Sequence, residues 1–167
     1  MADRFGVKLY KQAFNFASAH FLIFPDGRRE QLHGHNYRLK LELEGSLDEA
    51  SLVADFIEVK PLVRALCDDL DHRVMLAEYS DAYELCSASG EVEVRLKGGG
   101  RFVFPSDDVV LLPIANTSTE RLSQLLGERL RSRLLDLQLT NITRLRVEVE
   151  ESGGQSGWCE LSNEALA

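Results

Sequence analysis

The chain has 167 residues, of which only three are cysteine, four are proline and four are histidine. Cys67, Cys86 and Cys159 are odd in number and widely spaced. That excludes a CxxC metal knuckle and argues against a secreted disulfide framework. Long apolar runs are also missing. No stretch approaches the roughly 18 residues needed to span a bilayer, and Met1 to Tyr10 holds no apolar leader core. The expectation is a reduced, cytoplasmic protein with no membrane partner. Positive charge is scarce as well: 19 Lys and Arg stand against 27 Asp and Glu, a net charge of −8. Arg28-Arg29 and Arg131/Arg133 are small clusters of the kind that usually sit in solvent. Without a basic stripe the chain is not expected to bind nucleic acid. An anionic small molecule stays compatible with it, given a local cation.

What is present is an ordinary globular balance, 44% hydrophobic and 28% charged, enough for one domain over residues 1–167. Residues 6–20 are rich in apolar and aromatic side chains and read as one long strand. Residues 36–44 alternate, with Tyr37, Leu39, Leu41 and Leu43 on one face and Arg38, Lys40, Glu42 and Glu44 on the other. This is a half-buried antiparallel strand. Leu62, Val63, Leu66, Cys67 and Leu70 recur at helical spacing over 58–70, with Pro61 in a first turn. Leu122, Leu125, Leu126, Leu130 and Leu134 mark an amphipathic helix over 118–137, capped from Asn116, Thr117 or Ser118. Alternation returns at 143–150, and a short strand around Trp158–Leu161 follows the Gly153-Gly154 turn. Between the helices, Val92–Leu96 and Arg101–Phe104 flank Lys97-Gly98-Gly99-Gly100, a β-hairpin pattern. The order predicts an α+β fold: an antiparallel four-stranded sheet with two helices on one face and an inserted β-hairpin. Such a sheet has two open edges, which invite pairing between subunits.

The four histidines are His20, His33, His35 and His72. In an extended segment the two imidazoles of His33-Gly34-His35 point to the same face and can reach one metal ion. His20 ends the first strand and joins them if the two strands pair as a hairpin. Three neutral imidazoles suit Zn²⁺ and leave a coordination position open, the mark of a catalytic site. An isolated HxH is more often a surface or core pair than a metal site.

Six short stretches stand out: Phe14 to His20, Leu32-His33-Gly34-His35-Asn36-Tyr37, Ala54-Asp55-Phe56 with Val59-Lys60, Leu70-Asp71-His72-Arg73, Asn116 to Glu120, and Glu150-Glu151-Ser152. In these the chain resembles the 6-pyruvoyltetrahydropterin synthase and 6-carboxytetrahydropterin synthase family. They fall in the family's order over nearly the whole chain, except for about residues 77–113, which read as an insertion. The resemblance implies the tunnelling fold, a homo-oligomeric barrel built as a trimer or hexamer, and active sites at subunit interfaces. It implies His20, His33 and His35 as zinc ligands and Asp71 and His72 as a proton-relay pair. It implies Glu151 as the anchor of a pterin ring, with Thr119 at the matching helix start as a further substrate contact. A carboxylate suits the paired N–H donors of a pterin's amino-pyrimidine edge.

One position departs from the family. Where its usual members carry a catalytic cysteine, four residues before the first histidine of HGH, this chain has Arg29. The next residue is Glu30, the pattern of a branch that converts 7,8-dihydroneopterin triphosphate to 6-hydroxymethyl-7,8-dihydropterin. The expectation is therefore a zinc-dependent lyase with Glu30 as the acid/base group, cleaving the substrate side chain as an aldolase does. The alternatives are a 6-pyruvoyl- or 6-carboxy-tetrahydropterin synthase, feeding a tetrahydropterin, folate or queuosine pathway, or a pterin-binding homologue without catalysis.

Overall fold

The computed structural model describes residues 3–162. Along the chain run β1 (Phe5–Leu9), β2 (Asn15–His20), β3 (His33–Gly45), α1 (Phe56–Asp68), β4 (Arg73–Ala77), β5 (Tyr83–Ala88), β6 (Glu91–Leu96), β7 (Arg101–Pro105), β8 (Val109–Leu112), α2 (Thr119–Asp136), β9 (Ile142–Ser152) and β10 (Gln155–Ser162). The main sheet has seven strands in the order β10-β9-β3-β2-β4-β8, with β1 also paired to β3. No described helix is long and apolar enough to cross a membrane.

The alternation read at 36–44 sets the layers. Tyr37, Leu39, Leu41 and Leu43 are buried on one face of β3, and Leu145, Val147 and Val149 continue that face on β9. α1 and α2 pack over it through Val59, Val63, Leu66 and Cys67, and through Leu122, Leu126, Leu130 and Leu134. Burial of each such side chain is worth about 1.5–3 kcal/mol. The opposite face stays polar, with Lys40 bridging Glu148 at 2.9 Å and Glu150 at 2.8 Å.

Several expectations need correction. The sheet is neither four-stranded nor wholly antiparallel, because β2 pairs with β4 and β4 with β8 in parallel. The runs Val74-Met75-Leu76-Ala77 and Val109-Val110-Leu111-Leu112 are continuously apolar, the pattern of parallel strands, and no alternation marks them. The expected long strand over 6–20 is two strands. In β1 the inward residues are odd-numbered, Val7 and Leu9, whereas Phe14, Phe16, Ser18 and His20 are even-numbered. One uninterrupted strand cannot bury both sets. The chain breaks at Tyr10–Phe14, where the Phe14 N–H donates to the Lys11 carbonyl at 3.0 Å.

The inserted hairpin is likewise larger than expected, a three-stranded sheet β5-β6-β7. Its Phe102 and Phe104 rings stack at 5.7 Å, and Phe102 lies 5.5 Å from Phe21. The ends of the 77–113 segment belong to the main sheet, since Ala77 closes β4 and β8 lies beside it. Both helices begin on side-chain caps. Asp55 accepts from the Ile57 N–H at 2.7 Å, and Ser118 from that of Arg121 at 3.4 Å. Because α1 starts earlier than expected, Pro61 lies in its second turn, not its first.

Candidate metal and substrate site

β2 and β3 form the antiparallel pair that the histidine argument requires. His20 stands directly opposite His33, and His35 is two residues further along β3. All three rings lie on the helix-covered face, at the end of the sheet. Ring centroids are 4.8 Å apart for His20 and His33, 5.3 Å for His20 and His35, and 4.7 Å for His33 and His35. One ring nitrogen from each falls within 4.8 Å of the others.

The surroundings fix which nitrogens are free. His20 is 1% exposed. Its Nδ1 lies 3.1 Å from the Thr117 carbonyl, an acceptor, so Nδ1 carries the proton. That leaves Nε2 as a lone pair, buried and without a partner. His33 repeats the device: its Nδ1 is 2.8 Å from the Gln31 carbonyl, and its Nε2 faces His35 Nε2 at 2.9 Å. Burial, and next the neighbouring His33, lower the His20 pKa from 6.5 to about 4, so the ring is neutral at pH 7. A buried lone pair on His20 Nε2 that converges with the ring nitrogens of His33 and His35 fits a divalent cation.

Glu30 lies on the loop between β2 and β3. Its backbone N–H donates to Leu22 O at 2.9 Å, and its carboxylate accepts from the Leu22 N–H at 3.2 Å. Its charge acts, as the smallest of the causes, on His20 and on the Tyr37 hydroxyl, so the carboxylate lies within electrostatic reach of the cluster. Arg29 points elsewhere. Its guanidinium lies over the rings of Phe21 at 5.5 Å and Phe102 at 5.1 Å.

Glu151 continues the inward series Val147, Val149 on β9. Arg38 pairs with Glu150 and Leu39 with Val149, so the next step of the register sets Glu151 beside Tyr37. Burial, then Glu151, then Glu30 raise the Tyr37 hydroxyl far above its ordinary pKa of 10.0. Thr119 opens α2 and lies against β10, where a Cβ on Gly157 would stand 2.5 Å from its Oγ1. Only glycine permits this approach, which brings the start of α2 to β10 beside the same end of β9.

Asp71 and His72 are not brought to the triad. Asp71 Oδ1 accepts from the Ala17 N–H at 2.7 Å, and Asp71 Oδ2 lies 2.9 Å from His72 Nδ1. The Ala17 N–H, more than any other contact, holds the Asp71 carboxyl below its usual range. His72 has a left-handed backbone, φ 59°, and a side chain 83% exposed. It borders an open depression of about 430 Å³ with Ala17, Ala19 and Gly34. Those residues alternate along β2 and β3 with His20, His33 and His35, so the pair lies on the opposite sheet face. Sequence reasoning missed two residues at the triad. Thr117, read only as a helix cap, orients His20. Tyr37, read only as core, packs its ring 5.8 Å from His20 and 5.5 Å from His35.

The sequence profile of the 6-pyruvoyl tetrahydropterin synthase family matches residues 8–164. The chain belongs to this family. A Methanocaldococcus jannaschii protein provisionally named 6-carboxy-5,6,7,8-tetrahydropterin synthase is 32% identical over 143 residues, covering 84% of this chain and 85% of that one. The crystal structure of 6-pyruvoyl tetrahydropterin synthase from Plasmodium vivax superposes with a TM-score of 0.90 at 30% identity, covering 96% of this chain and 99% of that one. In a further structure of the P. vivax enzyme, a glutamate described as a catalytic residue is replaced by alanine; it matches with a TM-score of 0.90 at 29% identity, over 96% of this chain and 99% of that one. Membership makes the chain a lyase-type enzyme of pterin metabolism.

Proposed function

We propose that this chain is a metal-dependent lyase acting on the side chain of 7,8-dihydroneopterin triphosphate. The observation that carries the reading is the meeting of three imidazole nitrogens within 4.8 Å. His20, His33 and His35 would hold Zn²⁺, which when bound would supply Lewis-acid polarisation of the side-chain oxygens. Glu30 takes a proton from the substrate side chain, the role a cysteine thiolate fills elsewhere in the family. Glu151 accepts from the amino-pyrimidine N–H groups and holds the ring, with Thr119 beside it. Asp71 and His72 act as a relay from a neighbouring copy, in a homo-oligomer that places their face against the next triad. β8 and β10, the outer strands of the main sheet, are the edges through which copies would join.

Two products are consistent with this site. The names of the relatives stand nearer to a 6-pyruvoyl- or 6-carboxy-tetrahydropterin synthase than to side-chain cleavage. A specific observation favours the second reading, 6-hydroxymethyl-7,8-dihydropterin. Glu30 directly follows the position where the usual thiolate is missing, and a structural relative carries a glutamate described as catalytic. In that reading Glu30 removes the proton of the side-chain hydroxyl next to the bond that breaks. The carbon–carbon bond opens, its electrons enter the ring, a phosphorylated aldehyde leaves, and the proton taken by Glu30 returns to the ring-side carbon to complete the hydroxymethyl group. The test is to incubate the zinc-loaded protein with dihydroneopterin triphosphate and identify the pterin by chromatography and mass spectrometry. A carboxylated or pyruvoyl product supports the first reading and a hydroxymethyl product the second. No pterin product from metal-loaded protein rejects both.

A further inference from the structure

The three-stranded sheet contributes nothing to the histidine centre, yet it touches the loop that carries Glu30. Phe102 of β7 stacks on Phe21 at 5.5 Å with ring planes 27° apart, and Phe21 directly follows His20 in the chain. Tyr83 of β5 packs edge-on against Phe21, 5.8 Å away. Arg29 lies across this aromatic column, over Phe21 at 5.5 Å and Phe102 at 5.1 Å. From there its Nη1 donates to the Glu30 carbonyl. Arg29 also bridges to Ile23 as an extended residue, so its side chain and that of Glu30 leave the loop in opposite directions.

We propose that Arg29 is a positioning residue that braces Glu30 against the three-stranded sheet. The inference rests on the reading of Glu30 as the proton acceptor. The guanidinium suits the task for two reasons. Its planar face stacks on aromatic rings, and its fork of donors still reaches a backbone carbonyl. Glu30 is thereby fixed at three points: the carbonyl by Arg29, the N–H by Leu22 O, and the carboxylate by the Leu22 N–H. This gives the β5–β7 sheet a purpose, since its Phe102 is the wall against which the brace presses. It also accounts for an arginine at the family's cysteine position, facing away from the chemistry while the next residue faces toward it.

The test compares Arg29→Lys, Arg29→Met and Phe102→Leu with Glu30→Gln, reading kcat, KM, bound zinc and Tm on dihydroneopterin triphosphate. A displaced base slows the chemical step, so kcat should fall about tenfold in each Arg29 variant and in Phe102→Leu. KM and bound zinc should stay at wild-type values. Arg29→Lys should fail like Arg29→Met, because charge without a planar fork does not serve. The double variant Arg29→Met/Phe102→Leu should be no slower than either single one, since both act through one contact. Wild-type kcat in Arg29→Lys and Arg29→Met, with Glu30→Gln inactive, overturns the brace alone. Unchanged kcat in Glu30→Gln overturns the Glu30 reading and the brace with it. If Phe102→Leu does not fold, the two Arg29 variants on the exposed loop decide the matter, and losses that track a fall in Tm reject a positioning role.

Discussion

Two histidines flank β2 and are treated in opposite ways. His20 ends the strand on its buried face, with one nitrogen tied to Thr117 and the other left as a bare lone pair. His72 reaches β2 through a backbone N–H bond to Ala17 O at 2.7 Å and carries its ring into solvent on the far face. The buried ring is neutral by its surroundings and meets His33 and His35 within one chain. The exposed ring is paired with Asp71. One strand thus separates the three-histidine cluster from the Asp71–His72 pair on the opposite face.

Complementation is the sharpest way to break that comparison. His72→Ala is expected to lower kcat about a hundredfold, the usual worth of an acid–base group, while bound metal and Tm stay unchanged. His20→Ala should be inactive through loss of metal. Mixing the two variants under conditions that allow subunit exchange should restore activity, because some sites would then take an intact triad from one copy and an intact relay from another. Full activity in His72→Ala alone, or no recovery on mixing, would place the relay outside the reaction.

A smaller effect concerns the buried ring itself. Folding lowers the His20 pKa from 6.5 to about 4, burial being the main cause. The native state therefore holds the neutral ring, and the unfolded chain binds the extra proton between those values. Stability from this group is complete above about pH 6.5 and is lost as the pH falls toward 4. Metal-free protein should show a Tm that drops by several degrees across that window. In His20→Gln the drop should be shallower, and an equal slope in both proteins would assign the acid sensitivity to other groups.

The two faces also differ in how far the sequence revealed them. The alternation of Tyr37 to Leu43 and of Leu145 to Val149 marked the buried face directly, and the two-residue spacing of His33 and His35 placed both rings on it. The leucine spacing of α2 and its cap at Ser118 were equally legible. β4 and β8 were not, because continuous apolar runs carry no periodicity and cannot be told from core helix. The break between β1 and β2 was present in the sequence as a change of parity between Leu9 and Phe14, outweighed by the aromatic richness of the whole stretch. Thr117 and Tyr37 escaped because their roles come from contacts distant in sequence, such as the bond from His20 to Thr117. The outward turn of His72 depends on a left-handed backbone at a residue type that adopts it only occasionally. The family resemblance supplied the relay pair without showing on which face it would stand.

The central claim is that His20, His33 and His35 together grip one divalent cation. The direct measurement is zinc binding to metal-free protein, by calorimetric titration with elemental analysis of the product. The account predicts one ion per chain, lost in His20→Ala, His33→Ala and His35→Ala and retained in His72→Ala. Wild-type protein that stays zinc-free after supplementation, or one-to-one binding that survives replacement of any of the three, would contradict it.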